Sequence, residues 1–214
     1  MAITRVVESE LLDNLDPRDP EAIRSRKDLR LINWLMGNQI WFLCCLRNLL
    51  PSGVVRLVEI GAGDGELSAA IHRRYPSMPL TAMDLQSRPA DLRGEFSWIQ
   101  GNLFDLLPRI SADVLLGGMI IHHFSDNQLG MLGSRLNNFR AIFVCEPCRS
   151  RLSMLLARLM WPLVGRVTRH DMPASIRAGF RRGELARLLK LGPQWEIRET
   201  IDWRGSIRFA AVRR

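Results

Sequence analysis

The spacing of hydrophobic residues changes near residue 50, and the type of secondary structure that the sequence predicts changes with it. Before residue 50 the spacing is helical. A first helix is predicted to begin after Pro20, with Glu21 in its first turn, and to end near Gly37. Its apolar residues recur at helical intervals: Ile23, Leu29, Ile32 and Leu35. A second predicted helix continues to Pro51.

After residue 50, short β-rich runs alternate with helical patterns. Seven strand candidates cover residues 54–60, 79–85, 95–100, 112–121, 139–146, 194–203 and 206–214. This alternation favours an α/β fold with a mostly parallel sheet that is covered by helices on both faces. The last two candidates lie close together, which predicts a hairpin and an antiparallel last strand. We therefore expect an N-terminal helical cap segment, residues 1–50, and one α/β domain, residues 51–214.

The composition is that of a globular protein, and we expect no transmembrane segment. Hydrophobic residues make up 47% of the chain and charged residues 24%. The most apolar stretches, 34–50 and 152–165, are interrupted by Arg47 and Arg158 and are short for a transmembrane segment, so we expect buried or lid helices. The first residues lack a basic stretch followed by an apolar one, which predicts no secretory signal and a cytoplasmic location.

The net charge is strongly basic but is not concentrated in one part of the sequence. The formal charge is +8, and nearly all of the basic residues are arginine. Arginine binds phosphate well, so RNA and a membrane surface stay open as partners. The arginines are scattered from Arg5 to Arg214, however, which favours a solvated surface. Nucleic-acid binding is therefore not expected.

Cysteine and histidine spacing gives no sign of a metal site. Cys145 and Cys148 have the Cys-x-x-Cys spacing, but Cys44 and Cys45 do not form the second such pair that a structural zinc site needs. The acids and histidines do not form a compact ligand motif either. We expect reduced thiols and no metal.

Three glycines at alternate positions follow the first strand candidate, in the stretch "VEIGAGDGELS". A dinucleotide-binding fingerprint would require a third glycine at position 66, where this chain has Glu66. Instead Glu59 precedes the loop, and Asp84 ends the next strand, where a carboxylate can accept both hydroxyls of a ribose. A loop without Lys or Arg, preceded by a carboxylate, suits a ligand that carries an amino group better than one that carries a pyrophosphate.

Four stretches in this order resemble the class I S-adenosylmethionine-dependent methyltransferases. "VEIGAGDGELS" resembles their glycine-rich motif, "LTAMDLQ" the acidic motif, "IQGNLFDLLP" the adenine-binding segment, and "ADVLLGGMIIHHFSDNQL" the fourth strand with its two histidines. The resemblance covers most of Val54–Arg214 and implies a Rossmann-like fold of seven strands. "HHF" and "VTRHDMPASIRAGFRRGELARLLK" are further similar to bacterial small-molecule methyltransferases of quinone and polyketide biosynthesis.

The resemblance implies S-adenosyl-L-methionine as cofactor, S-adenosyl-L-homocysteine as product, and a set of binding residues. These are Glu59, Gly61, Ala62, Gly63, Gly65, Asp84, Leu85, Asn102, Leu103 and Met119. The glycines would admit the methionine part, Glu59 would help to order the loop, and Asp84 would hold the ribose. Leu85 would pack on the adenine. Asn102 stands where the family usually has Asp, so its amide oxygen would accept from the adenine amino group.

Two pairs of residues are candidates for the catalytic base. His122 follows the fourth strand and Glu146 ends the fifth, and adjacent strand ends in this fold bring such residues within reach. A carboxylate that orients an imidazole and raises its basicity is what a general base needs, although a structural role for the pair is an equal alternative. His170 and Asp171 form the second pair, on a segment predicted to cover the pocket. Their alternative is a helix N-terminal turn before "PASIRAGF".

The sequence thus predicts methyl transfer to a small, hydrophobic aromatic, polyketide-like or quinone-like acceptor, and a homodimer stays open. Two alternatives stay open: an RNA or protein methyltransferase, favoured only by the basic charge, and a cofactor-binding subunit without catalysis. Several large apolar residues either line an acceptor pocket or simply pack in the core: Trp34, Trp41, Phe42, Met154 and Trp161.

Overall fold

The structure, a computed structural model, describes residues 3–49 and 55–214. It contains a seven-stranded sheet. The strands are β1 Leu57–Ile60, β2 Leu80–Asp84, β3 Ser97–Gln100, β4 Val114–Gly118, β5 Ala141–Pro147, β6 Trp195–Ile201 and β7 Ser206–Arg213. Their order is β3-β2-β1-β4-β5-β7-β6, and all neighbours are parallel except β7, which is antiparallel to both β5 and β6. The predicted fold class is confirmed, including the antiparallel last strand. The predicted start of the first strand, Val54, lies outside the described residues.

Eight α-helices connect or cover the strands in the described part of the chain. They are α1 Pro20–Met36, α2 Asn38–Leu49, α3 Glu66–Arg74, α4 Leu103–Leu106, α5 Asp126–Arg135, α6 Arg151–Met160, α7 Arg166–Ala178 and α8 Glu184–Leu188. The boundaries of α1 follow its sequence signals. Asp19 caps its start by accepting a hydrogen bond from the Glu21 N–H at 2.7 Å, and Gly37 ends it with a φ of 65°.

The core forms one apolar layer on each face of the sheet. Consecutive residues of β1 point to opposite faces, so Leu57 packs in one layer and Val58 in the other. Phe42 of α2 and Ile71 of α3 cover the Leu57 face, and α5 and α8 cover the Val58 face. Trp41 also packs against the Leu57 layer. Because α2 supplies core residues to the sheet, the first helices and the α/β domain share one core. The predicted boundary near residue 50 falls outside the described residues, and a separate cap segment stays a prediction.

The apolar stripe predicted for α1 does not face the core. Ile23 and Leu35 are exposed, and the buried residues of the helix are Ala22 and Ser25. The helix packs on α7, where the Ser25 and Thr168 hydroxyls are hydrogen bonded at 3.0 Å and Thr168 also donates to Asp28 at 2.9 Å. Polar contacts at a close helix–helix crossing therefore decided which face of α1 is buried.

The expectation that both long apolar stretches form buried or lid helices is right only in part. Phe42 is buried, but Trp34 is exposed, and the second stretch exposes Leu155, Leu159 and Trp161. Among the described residues, no helix combines the length and the apolar character needed to cross a bilayer.

The four cysteines are free. Burial raises the pKa of Cys145 to about 12, and its Sγ donates to the Asn38 side chain at 3.0 Å. The Cys148 pKa is raised by burial as well. Thiols with raised pKa values are poor nucleophiles near neutral pH, so nothing favours a redox role for this pair.

Candidate active site

The glycine loop lies at the carboxyl edge of the sheet, at the point where the strand order reverses. β1 pairs with β2 on one side and with β4 on the other, and the crevice at such a switch point is where ligands bind in open α/β sheets. Gly61, Gly63 and Gly65 all have positive φ, between 55° and 72°. This left-handed conformation is costly for residues with a side chain, which explains the three alternate glycines.

The loop is tied to the end of β2 by Asp84. One carboxylate oxygen accepts from the Gly63 N–H at 2.7 Å, and the other accepts from the Gln86 N–H at 2.9 Å. A carboxylate oxygen can accept more than one hydrogen bond, so both oxygens retain acceptor capacity toward a ligand. Asp84 thus organises the loop and stays able to accept hydroxyl donors.

The three glycines differ in the space around them. A side chain at Gly61 would come within 2.4 Å of Ile120, and one at Gly65 within 2.4 Å of Leu92. A side chain at Gly63 would meet nothing within 4 Å. Gly63 therefore borders open space at the crevice, while Gly61 is in contact with the segment that follows β4.

Glu59 is buried below the loop and accepts a hydrogen bond from the Ser68 hydroxyl of α3. Burial raises its pKa to about 7, against the opposing effect of that hydrogen bond. The carboxyl group joins β1 to the helix after the loop, and it is poised to ionise when a cation binds nearby.

The other predicted cofactor-binding residues lie around the same crevice. Leu85 is a large apolar side chain that is 67% exposed directly after Asp84. Met119 follows β4 with a φ of 55°, a conformation that is rare outside glycine and clusters at functional sites. Ala62 is buried in the glycine loop, and Leu103 is partly buried at the start of α4. Asn102 caps α4, since its amide oxygen accepts from the Phe104 N–H at 2.8 Å, so a ligand would have to use its second lone pair.

His122 and Glu146 are in contact, as the strand order suggested. The His122 Nδ1 lies 2.6 Å from Glu146 Oε2, and both residues are buried. The other Glu146 oxygen accepts the Ile120 and Ile121 N–H groups at 3.0 and 2.8 Å. Glu146 therefore fixes both the imidazole and the short segment that carries it. Because Ile120 of that segment lies against Gly61, the histidine segment adjoins the glycine loop.

The second ring nitrogen of His122 faces a residue that the sequence did not point to. Glu10 Oε1 lies 3.5 Å from His122 Nε2, and the Glu10 carboxylate also accepts from the Ser175 hydroxyl. Glu10, His122 and His123 form a group in which one potential metal-ligand atom from each residue lies within 4.8 Å of the others. No sequence signal could have found it, because Glu10 is far from both histidines along the chain.

The charges of this group act on one another. Burial by itself would lower the pKa of His122, but Glu146 and Glu10 raise it to about 9. Burial would raise the pKa of Glu10, but the hydrogen bond with His122 and the charge of His123 leave it below its usual value. Burial and the charge of His122 lower the pKa of His123. The acidic neighbours of His122 thus favour its protonated form, and burial and the charge of His122 disfavour that of His123.

His170 and Asp171 have a different environment. His170 Nδ1 lies 2.9 Å from Asp171 Oδ1, but the imidazole is 55% exposed. Asp171 accepts the Leu11 and Leu12 N–H groups at 2.8 and 3.0 Å, so its carboxylate holds the N-terminal segment. The alternative of a helix N-terminal turn is wrong: both residues lie inside α7, which continues through Pro173. The helix packs against α1 and α6.

Residues 3–15 cross the site as a strap, a name we use for this segment below. Arg5 fixes it to the histidine segment, with hydrogen bonds to the Phe124 carbonyl at 2.8 Å and to the Ala178 carbonyl at 2.9 Å and an ion pair with Asp126 at 2.6 Å. Arg149 donates to the Ile3 carbonyl at 3.0 Å. The strap brings Glu10 against His122 and so contributes to the burial of the histidine.

Comparison with known proteins agrees with this geometry. The O-methyltransferase domain family matches residues 31–142, more than half of the chain, and the match includes the glycine loop and both histidines. The chain belongs to this family.

Individual relatives are similar over shorter segments. A chavicol O-methyltransferase from Ocimum basilicum is 36% identical over 78 residues, 36% of this chain and 21% of the relative. A strychnine O-methyltransferase from Strychnos nux-vomica is 33% identical over 78 residues, 35% of this chain and 21% of the relative. The similarity to these curated relatives thus spans about a fifth of their length.

Solved structures share the fold over nearly the whole chain. The plantazolicin methyltransferase BamL, crystallised with S-adenosylhomocysteine (SAH) and a triazolic desmethylPZN analogue, has a TM-score of 0.74 at 11% identity, over 94% of this chain and 92% of BamL. The pyocyanin biosynthetic protein PhzM has a TM-score of 0.62 at 20% identity, over 96% of this chain and 62% of PhzM. At these identities the likeness shows the fold.

Proposed function

We propose that this protein is an S-adenosylmethionine-dependent O-methyltransferase that acts on a small, hydrophobic acceptor with a phenolic or enolic hydroxyl. One observation carries the proposal: two groups of residues lie next to each other at the same edge of the sheet. The first is the loop of Gly61, Gly63 and Gly65 with Asp84, and the second is the buried pair of His122 and Glu146. The family match is to an O-methyltransferase domain. It does not favour the RNA, protein or non-catalytic alternatives.

The residues of the crevice fit S-adenosylmethionine. Gly63 borders open space in which the amino-acid part can lie, and Asp84 retains acceptor capacity for the ribose hydroxyls. The exposed Leu85 offers an apolar surface for the adenine. A cation close to Glu59 would favour its carboxylate form, which complements the positive charge of the ligand. When bound, the cofactor supplies a methyl group that its sulfonium has already activated.

The role proposed for His122 is to take the proton of the acceptor hydroxyl at Nε2. Glu146 keeps the ring oriented and stabilises the imidazolium that results. Deprotonation would make the acceptor oxygen the nucleophile for the methyl group that the bound cofactor would supply, which would leave the cofactor as its demethylated thioether. Glu10 now occupies the position facing Nε2, so the strap must shift for an acceptor oxygen to replace the Glu10 carboxylate. The protein would otherwise contribute by aligning the acceptor oxygen with the methyl group, and such alignment accounts for a large part of the rate enhancement in reactions of this type.

We also propose cofactor-binding roles for four residues that surround the same crevice: Ala62, Asn102, Leu103 and Met119. His170 and Asp171 are retained as positioning residues, since Asp171 anchors the strap. We also propose a cytoplasmic location, which cell fractionation would check. A homodimer is proposed as well, which sedimentation would check.

The proposed function predicts binding of S-adenosylmethionine and its demethylated product, and transfer of a labelled methyl group to oxygen. Calorimetry would measure the binding, and mass spectrometry of a panel of phenols and hydroxyquinones would locate the label. NAD is the control ligand, because a dinucleotide-binding domain shares the fold type. Binding of NAD without binding of S-adenosylmethionine would contradict the proposal.

A matched pair of glycine substitutions separates cofactor contact from stability. Both Gly61→Ala and Gly63→Ala introduce a left-handed strain of roughly 1–2 kcal/mol. Gly61→Ala in addition pushes into Ile120, while the methyl group of Gly63→Ala enters open space. We expect Gly61→Ala to lower the melting temperature more, and Gly63→Ala to weaken cofactor binding by about tenfold or more, a change of about 1.4 kcal/mol. Unchanged affinity of Gly63→Ala would mean that the cofactor does not lie over this turn.

A further inference from the structure

The outer face of α6 and of the turn that follows it is apolar. Leu152, Leu155 and Leu159 share this face, because they recur at helical spacing, and they are 50%, 53% and 65% exposed. Ser153 and Ala157 on the inner face are buried. Leu163, 64% exposed, continues the apolar surface beyond the helix, as does Trp161. This helix presents its apolar side to solvent, which is the reverse of a core helix.

The stretch of chain that contains α6, residues 147–170, carries basic but no acidic side chains. Between Glu146 and Asp171 the sequence contains five arginines and no acidic residue. Arg149 is buried and paired with Glu184, whereas the other four lie at the surface: Arg151, Arg158, Arg166 and Arg169. Asp28 of α1 approaches this segment, but its carboxylate already accepts hydrogen bonds from the Gly165 N–H and the Thr168 hydroxyl. Arg151 and Arg158 lie on α6 itself and line one groove together with Leu155, so positive charge borders the apolar face.

A groove connects this surface to the strap. It has a volume of about 330 Å³ and is lined by Ile3, Arg151, Met154, Leu155 and Arg158. Its walls combine apolar side chains with two guanidinium groups, which suits an amphiphile with a negatively charged head.

A third element adjoins the start of α6. Trp203, which is largely exposed, lies in the turn between β6 and β7. The carbonyl of Gly205 in this turn accepts from the Cys148 N–H at 2.8 Å, and a side chain on Gly205 would lie 3.4 Å from Ser153. Exposed tryptophans beside an amphipathic helix are typical of proteins that lie in the membrane interface.

We propose that α6 and the turn 161–163 form a docking surface for an anionic lipid bilayer. The leucines and Trp161 would enter the boundary between headgroups and acyl chains, and the arginines would bind lipid phosphates. A second copy of this chain fits less well, because a two-fold interface would set this arginine-rich patch against itself. A nucleic acid fits less well too, because the exposed leucines between the arginines would have no partner on a phosphate backbone. The docking surface does not depend on the proposed reaction.

Vesicle cosedimentation of the full chain tests the docking surface. The probes are phosphatidylcholine vesicles with and without phosphatidylglycerol, at low and at physiological salt. We expect binding to the anionic vesicles, weakened by salt, and little binding to the neutral ones. Arg158→Gln with Arg166→Gln should weaken binding by about fivefold per arginine, from the roughly 1 kcal/mol that each contributes near an anionic surface. Leu155→Ser with Leu159→Ser should weaken it by about tenfold or more.

Matched controls lie on other faces. Met131→Ser on α5 removes an equally exposed apolar side chain, and Arg198→Gln on β6 removes an exposed arginine. Both should bind vesicles as the unaltered chain does, and thermal denaturation checks that every variant is folded. Equal binding to neutral and anionic vesicles would overturn the proposal. So would absence of binding together with a concentration-dependent dimer that the leucine substitutions dissociate, since the face would then be an interface between copies.

Discussion

Replacing His122 by alanine should lower turnover by about two to four orders of magnitude, the usual contribution of general acid–base catalysis. Cofactor affinity should stay nearly unchanged, because His122 contacts Glu146 and Glu10 and not the glycine loop. The measurement is turnover and cofactor affinity on the same variant, with an acceptor found in the phenol panel.

The pH profile distinguishes a base from a structural histidine. The deprotonated imidazole is the active form, and the neighbouring carboxylates raise the His122 pKa to about 9, so turnover should rise with pH up to about that value. Glu10→Gln removes one of the charges that raise this pKa. The rise in turnover should then move to lower pH, while the maximum is retained.

Glu146→Gln is the matched control within the pair. It keeps the shape of the side chain but removes the charge that favours the imidazolium, so its loss of turnover should be smaller than that of His122→Ala. Full turnover of His122→Ala across the pH series would make the pair structural. His123 would then be the next residue to test, because it is partly exposed, its pKa is lowered, and Asp13 lies 3.7 Å from its Nδ1.

Replacing Asp84 by alanine should weaken binding of S-adenosylmethionine by about ten- to a hundredfold. A hydrogen bond to a charged acceptor contributes roughly 1.5–3 kcal/mol, which corresponds to that range of affinity. The same carboxylate also holds the Gly63 and Gln86 N–H groups, so part of the loss would come from a looser glycine loop. Calorimetry gives the affinity, and thermal denaturation shows whether the loop change spreads to the fold.

Asp84→Asn separates the two contributions. Its amide oxygen can still accept from a backbone N–H, but the charge and one acceptor oxygen are lost. We expect an affinity between those of Asp84→Ala and the unaltered chain, with a melting temperature close to that of the latter. Affinities of all three proteins that agree within error would refute a role of Asp84 in holding the ribose.

The sequence alone determined the seven strand candidates, the mostly parallel sheet with its antiparallel last strand, and the position of the glycine loop. These features depend on signals within a few residues: β-rich apolar runs, glycines that accept positive φ, and Asp84 at a strand end. The contact between His122 and Glu146 could also be predicted, because parallel strands place their carboxyl ends side by side. His122 follows β4, and Glu146 lies at the end of its neighbour β5.

Only the tertiary structure decided what covers the site and which helix faces are buried. Asp171 holds the backbone of Leu11 from a position 160 residues away, and Glu10 reaches His122 in the same way. Contacts between such distant positions leave no periodic signal, since each side chain is ordinary within its own segment. The apolar stretch 152–165 predicted a buried or lid helix, and in the structure the outer leucines of α6 are exposed. Spacing shows that an apolar face exists, but the neighbouring elements determine whether that face meets the core or the solvent.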